Sequence, residues 1–444
     1  MKYLIIGANA AGMSAAVRIS KFDKDAQITV LEKSDVVSFG ACGIPYYLAG
    51  EFSDINTMTA RSLEAFIKSG MDVRIFQEAV KLNPSEKQVV ARDTKTNKEA
   101  VFNYDKVMIA TGASPAKLSI KGQDAKNVHT LHSRHDAETL RALLPEVQNI
   151  VIIGAGFIGL EAAEAFSHIG KKVTLIEFAP RVMARTFDPE LTDIIQNELM
   201  AKGVTLKLEE SVTEIISQNG AANAVMTNKG RYAADLVIMA TGFRPNTAFL
   251  EGSGVALSRE NAVVVDNQGK TNLKDVFSAG DCATVKHRIT GDSYIPLATS
   301  ANKLGRITGE VMAGKDSAFI GTLGSSGIRV FELEAARTGI SEEEAKALGL
   351  NYGVVFIKDK NRTDYVLPQT DMWVKLIYDN TTRQLLGGQI IGSYLGGAVH
   401  RVDALAVAVY SKITVEELGF MDFVYAPPFS RTWDILNVAG NVAK

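Results

Sequence analysis

The chain has 444 residues, enough for about two to four domains, each with its own core. Its 48 Lys and Arg nearly cancel its 50 Asp and Glu, so no whole-chain field attracts nucleic acid or an anionic membrane, and a small or neutral partner fits better. The two cysteines, Cys42 and Cys282, lie far apart and outside any Cys-x-x-Cys or His-rich spacing. That excludes a disulfide framework, gives no metal site and points to a reducing compartment.

Residues 3–6 read as a buried parallel strand, Gly7 to Gly12 as a turn, and the segment from there to about Phe22 as a helix. A second strand at 28–31 ends in Glu32. This is the pattern of a βαβ dinucleotide unit: glycines permit the tight turn, the helix N-terminus receives a pyrophosphate, and the acid bonds a ribose hydroxyl. Asn9 stands where the middle glycine is usual, and Asn tolerates left-handed backbone better than most residues. The apolar start imitates a secretory signal, but Gly7 and Gly12 interrupt it as a strand entering a turn would. No apolar run reaches the roughly 18 residues of a membrane span, so a soluble, cytoplasmic protein is expected.

The stretch Ser38-Phe39-Gly40-Ala41-Cys42-Gly43-Ile44-Pro45-Tyr46-Tyr47 holds one of the two cysteines. Small neighbours would let a broad planar group approach the sulfur, and Pro45 suits a first helical turn. Cys42 is therefore expected just ahead of a helix, where free N–H groups favour the thiolate, the reacting form. Isolated cysteines are commonly buried and inert, so the rest of the chain carries the redox reading.

A second, complete fingerprint follows. A strand at 150–153 leads into Gly154-Ala155-Gly156-Phe157-Ile158-Gly159, and a strand at 173–176 ends in Glu177. Two such units imply two dinucleotides, one held permanently and one exchanging. Glu177 repels a 2′-phosphate and favours NADH over NADPH, with Arg181 and Arg185 nearby as opposing cations. Two Ala-Thr-Gly turns, containing Thr111 and Gly112, then Thr241 and Gly242, mark crossings into and out of the second unit. Residues 271–281 read as a strand reaching Asp281 at a glycine turn. This acid either bonds a polyol such as a flavin ribityl or caps a following helix.

From about Gly321 the pattern changes to a mixed α/β unit. It has a capped helix at 341–346, strands at 373–378 and 389–391, and an apolar helix at 402–410. The tail Phe423-Val424-Tyr425-Ala426-Pro427-Pro428-Phe429 has the aromatic, proline-stiffened character of a segment pressed on another surface, or packed inside its own domain.

With these motifs in order along nearly its whole length, the chain resembles the pyridine nucleotide-disulfide oxidoreductases. It resembles most the single-cysteine branch that contains coenzyme A-disulfide reductase, NADH oxidase and NADH peroxidase. The resemblance implies an α/β fold of two Rossmann-like dinucleotide-binding domains and a C-terminal α+β dimerisation domain. Residues 1–115 with 245–320 would bind FAD, residues 116–244 NAD(P)H, and residues 321–444 would form a homodimer. FAD would lie on Gly7, Asn9, Gly12, Glu32, Lys33, Ser38, Thr111, Gly112 and Asp281. NADH, or less favoured NADPH, would lie on Gly154, Gly156, Gly159, Glu177 and Gly242.

The same resemblance implies that electrons pass through the flavin to Cys42, which carries a mixed disulfide with coenzyme A or a sulfenic acid. Tyr365 and Tyr425 of the partner chain would serve the leaving thiolate, so active sites would be shared. Ser14, Arg18, Lys21, Ser38 and Asn302 fall on substrate-contacting positions, with Arg18 and Lys21 placed on the outer face of the first helix. Cys282 would be structural, and no further C-terminal rhodanese domain is expected. Peroxidases and water-forming oxidases of the branch carry a histidine in the first glycine turn where this chain has Ala10, which favours thiol chemistry. The asparagine that reductases carry just before the cysteine is Ala41 here, which counts against the coenzyme A assignment but not against thiol chemistry and keeps the oxidase alternative open. The leading expectation is a reductase of coenzyme A disulfide or a related persulfide or polysulfide. The alternatives are an NADH oxidase or peroxidase working through a sulfenic acid, and a redox-sensing flavoprotein that reports to a partner.

Overall fold

The computed structural model describes residues 1–443. Its first sheet is parallel, in the order Val276–Ser278, Lys106–Ile109, Lys2–Ile6, Gln27–Leu31, Asp72–Arg74. Lys2–Ile6 pairs in register with Gln27–Leu31 on one side and Lys106–Ile109 on the other. Strands buried on both faces need continuous apolar runs, and here Leu4, Ile5, Val107, Met108 and Ile109 are all buried. The helix Ala10–Phe22 covers the sheet and packs along the helix Ala298–Met312. Two glycines allow that approach: a Cβ on Gly305 would lie 2.6 Å from the carbonyl oxygen of Ala11, and one on Gly309 2.5 Å from that of Ala15.

The second sheet repeats the design in the order Thr205–Lys207, Lys172–Ile176, Asn149–Ile153, Leu236–Met239, Val128–His129. Between the sheets the chain runs out along Ala113–Pro115 and returns along Phe243–Pro245. These two segments pair antiparallel as a narrow double connection, which places both Ala-Thr-Gly turns at its ends.

The C-terminal unit is an antiparallel sheet in the order Ser326–Val330, Leu333–Gly339, Leu385–Ser393, Asp371–Asp379, Tyr352–Lys360. The helix Ala398–Tyr410 lies on it, and Val374, Leu376, Ile390, Val402 and Leu405 form part of its core. The helix Glu342–Ala347 starts at a capping box between Ser341 and Glu344, as its sequence pattern predicts. Among the described residues, no helix is long and apolar enough to cross a membrane.

Candidate active site

The first glycine turn is shaped by backbone contact. Gly7 has φ +109°, and a Cβ there would sit 2.1 Å from the carbonyl oxygen of Ala110; one on Gly12 would sit 2.0 Å from that of Gly7. Asn9 caps the following helix with φ −108° and no side-chain bond. The left-handed tolerance expected of it is therefore not used. The equivalent Gly156 is also extended, at φ −83°, so an L-residue fits this position without strain. Glu32 accepts the Ala8 amide at 3.0 Å and the Ser34 amide at 2.9 Å, and the Ser38 amide donates to the Ala8 carbonyl at 2.9 Å. The turn, Glu32 and Ser38 thus form one cluster. Ser38 holds a positive φ of 54°, a strained conformation for a non-glycine residue. Lys33 is exposed beside this cluster.

Thr111 and Gly112 are tied to the returning connection: the Thr111 hydroxyl donates to the Asn246 carbonyl at 2.7 Å, and the Asn246 amide donates to the Gly112 carbonyl at 2.9 Å. Asp281 lies past the short strand Val276–Ser278. The next helix begins only at Ala298, so the capping alternative for Asp281 is not met. Its Oδ1 is buried without a hydrogen-bond partner, and burial pushes its carboxyl above the usual range. A buried acceptor without a donor is costly, and a ligand hydroxyl would satisfy it, so these residues fit a flavin ribityl chain. Cys282 is buried, with its sulfur 3.5 Å from the Ile109 carbonyl, in keeping with a structural role.

The second turn is built alike. Gly154 has φ +102°, and a Cβ there would lie 2.4 Å from the Ala240 carbonyl oxygen; one on Gly159 would lie 1.9 Å from that of Gly154. A Cβ on Gly156 would meet no atom within 4 Å, which leaves its face open to a ligand. Glu177 accepts the Ala155 amide at 2.6 Å and the Ala179 amide at 2.9 Å, matching Glu32 in the first unit. Gly242, with φ +96°, has open space around it at the start of the returning crossing.

Cys42 is exposed in a single 3-10 turn, Ala41–Gly43, that leads into the helix Ile44–Ala49 with Pro45 in its first turn. The position agrees with the sequence expectation, but the thiolate preference does not. Crowding by protein pushes the thiol above its ordinary value, and the carboxylates of Glu161 and Asp281 push it further; only the backbone amide at 42 pulls it down. One short turn offers too few free N–H groups to outweigh that crowding and the two carboxylates. The helix Ile44–Ala49 that follows Cys42 packs against the helix Phe157–His168 of the second unit, which sets the turn near the seam between the first two units.

Glu161 was not singled out from the sequence. Burial, then the neighbouring Glu164, pushes its carboxyl up to about 7, against the opposing pull of Arg329. Arg329 itself joins three parts of the chain. It pairs with Glu164 at 2.6 Å and with Glu51, and its guanidinium lies 5.0 Å from the Tyr46 ring and 5.3 Å from the Tyr394 ring. Two acids three residues apart in the stretch Phe157 to Phe166 of the helix Phe157–His168, apolar at all its other positions, were the available signal.

Ser14 and Asn302 meet across the two packed helices, with a hydroxyl-to-amide-oxygen distance of 3.0 Å. Arg18 does not stand on the outer face. Its side chain is 16% exposed in the seam between those helices, where Glu310 pairs with it. Lys21 is exposed near the end of the first helix. Tyr365 and Tyr425 come together in the C-terminal unit, hydroxyl to hydroxyl at 3.4 Å, and both are exposed. Among the described residues, neither hydroxyl bonds to the part of the chain that carries Cys42. No group of three or more His, Cys, Asp and Glu among the described residues could hold a metal.

Comparison with known proteins finds two family models: the pyridine nucleotide-disulphide oxidoreductase model over residues 1–305 and the dimerisation-domain model of the same name over 325–435. The chain is 37% identical over 445 residues to an NAD(P)H sulfur oxidoreductase (CoA-dependent) of Pyrococcus abyssi, covering 99% of this chain and 98% of that one. It is 32% identical to an NADH oxidase of Enterococcus faecalis, covering 100% and 99%. A solved NAD-dependent persulfide reductase from A. fulgidus superposes with a TM-score of 0.96 at 34% identity, covering 100% of this chain and 83% of that one.

Proposed function

The chain belongs to the pyridine nucleotide-disulphide oxidoreductase family and is an oxidoreductase of that kind; from this premise we propose that it reduces coenzyme A disulfide or a coenzyme A persulfide with NAD(P)H. The observation that carries this reading is the exposed thiol of Cys42, held in the turn Ala41–Gly43 at the start of the helix Ile44–Ala49. FAD, held by the Gly7 turn, Glu32, Ser38 and Asp281, would supply a two-electron relay between nicotinamide and the cysteine.

The chain's own residues do the thiol chemistry. The Cys42 thiolate attacks one sulfur of the substrate disulfide, forming a mixed disulfide at position 42 and expelling one thiolate. The partner subunit's Tyr425, supported by its Tyr365, gives that thiolate a proton. Two electrons from NAD(P)H then release the second thiol and restore Cys42. A homodimer through residues 321–444 supplies those tyrosines, in keeping with their exposure and with that of Val424 and Phe429 at 85% and 71%. Residues 1–115 with 245–320 act as the flavin domain and 116–244 as the nicotinamide domain in this scheme. In this reading Ser14, Asn302 and Lys21 would contact coenzyme A, while Arg18 would contribute through its pairing with Glu310.

Intact mass of the purified protein before and after a reductant tests the reading. A reducible increment equal to coenzyme A, mapped to Cys42, is expected. A sulfenic acid with no adduct, together with rapid NADH-dependent oxygen consumption, would instead favour the NADH oxidase reading that the Enterococcus relative suggests.

A further inference from the structure

The nucleotide preference of the second unit sets Glu177 against Arg181 and Arg185, and the structure separates the two arginines. The Met183 amide donates to the Ala155 carbonyl at 2.9 Å, which pins the segment after Glu177 across the glycine turn. The Arg181 side chain in that segment is 14% exposed. Its Nη2 donates to the Ala184 carbonyl at 3.0 Å and pairs with Glu343 Oε2 at 2.6 Å, while its Nε is buried without a partner.

Glu343 comes from the helix Glu342–Ala347 of the C-terminal unit. Its position is fixed from both sides. Asp188 accepts the amides of Glu342 and Glu343 at 3.0 and 3.3 Å, and Arg337 donates to the Thr186 carbonyl at 2.8 Å. The 181–188 segment is therefore moored to the third unit by the same contacts that place Glu343. Arg185 is exposed and makes no ion pair among the described residues.

We propose that Glu343 is a positioning residue for nucleotide selection. By holding Arg181 turned toward the C-terminal unit, it withholds the cation that would otherwise meet a ribose 2′-phosphate. A guanidinium grips a phosphate through two parallel N–H donors, and one engaged by a carboxylate offers neither a free fork nor a net charge. The unpartnered Nε means that this pose leaves the guanidinium incompletely satisfied, so loss of Glu343 releases a side chain with reason to move. Discrimination against a 2′-phosphate thus has a source in the third unit besides Glu177. This inference rests on the reading that the Gly154 unit takes NAD(P)H.

The test titrates 2′,5′-ADP and 5′-AMP calorimetrically into the holoenzyme and its Glu343→Gln, Arg181→Gln and double variants. Glu343 is 52% exposed, so its amide variant keeps the fold. Glu343→Gln should tighten 2′,5′-ADP relative to 5′-AMP by about three- to tenfold, and the gain should vanish when Arg181→Gln is the background. The kcat/KM ratio for NADPH over NADH should move in step. An unchanged ligand ratio in Glu343→Gln overturns the proposal, and so does a gain that persists without Arg181, which would reflect only the lost negative charge. If 5′-AMP binds no variant, the reading of the second unit falls as well, an outcome distinct from an unmoved ratio.

Discussion

The hydroxyls of Tyr365 and Tyr425 stand 3.4 Å apart on an exposed face of the C-terminal unit, although the two side chains come from separate loops. The Thr363 hydroxyl ties those loops by donating to the Pro427 carbonyl at 3.0 Å. The hydrogen bond to Tyr365, followed by burial, pushes the Tyr425 phenol above its ordinary value. A protonated phenol can serve an expelled thiolate without carrying charge beforehand. Tyr425→Phe should slow NADH-driven thiol release by about 100-fold and leave NADH bleaching of the flavin unchanged. Tyr365→Phe should act in the same direction but more weakly. Stopped-flow absorbance with a thiol reagent separates the two half-reactions.

Two glycines of equivalent motifs should respond oppositely to alanine. At Gly12 the new Cβ would lie 2.0 Å from the Gly7 carbonyl oxygen, so Gly12→Ala should yield a protein that retains little flavin. At Gly156 the Cβ would meet nothing of the chain within 4 Å. Gly156→Ala should therefore keep Tm and flavin content while raising the KM for NADH. Flavin absorbance per chain and steady-state kinetics check both.

Glu161 links pH to both reactivity and stability. Its carboxyl, pushed up to about 7, binds a proton more tightly in the native state than in the unfolded chain. Its contribution to stability therefore falls as pH rises from about 4.5 to about 7 and stays low above that. Glu161→Gln should raise Tm more at pH 8 than at pH 5. Because the ionised Glu161 also raises the Cys42 thiol, the same variant should shift the midpoint of Cys42 alkylation by iodoacetamide to lower pH.

Lys375 is fully buried among Asp188, Glu190 and Glu342, at 3.5, 2.8 and 2.6 Å, and joins the second and third units. Removing one partner of such a cluster leaves charge without compensation. Lys375→Met should cost about 3 kcal/mol, visible as a lower Tm and as greater protease sensitivity near residue 188.

The glycine turns, Glu32, Glu177 and the Ser341 capping box were legible in the sequence because each is imposed by the local backbone. Gly7 needs positive φ and contact with Ala110, and Ser341 needs only Glu344 three residues on. The environment of Cys42 was not legible. Its position at a helix start follows from Pro45, but its thiol is pushed up by the protein packed around it and then by Glu161 and Asp281, all brought in from distant parts of the chain. Arg18 likewise reads as an exposed cation until Glu310, on another helix, is seen beside it. Arg329 with Glu51 and Glu164, and Lys375 with its three acids, depend on how three units pack, and no short window of sequence contains both ends of those contacts.

The most direct test is NADH-driven thiol release from coenzyme A disulfide by Cys42→Ser holoenzyme, followed beside flavin absorbance. The account predicts that NADH still bleaches the flavin and that no thiol is released. Thiol release at the wild-type rate would contradict it.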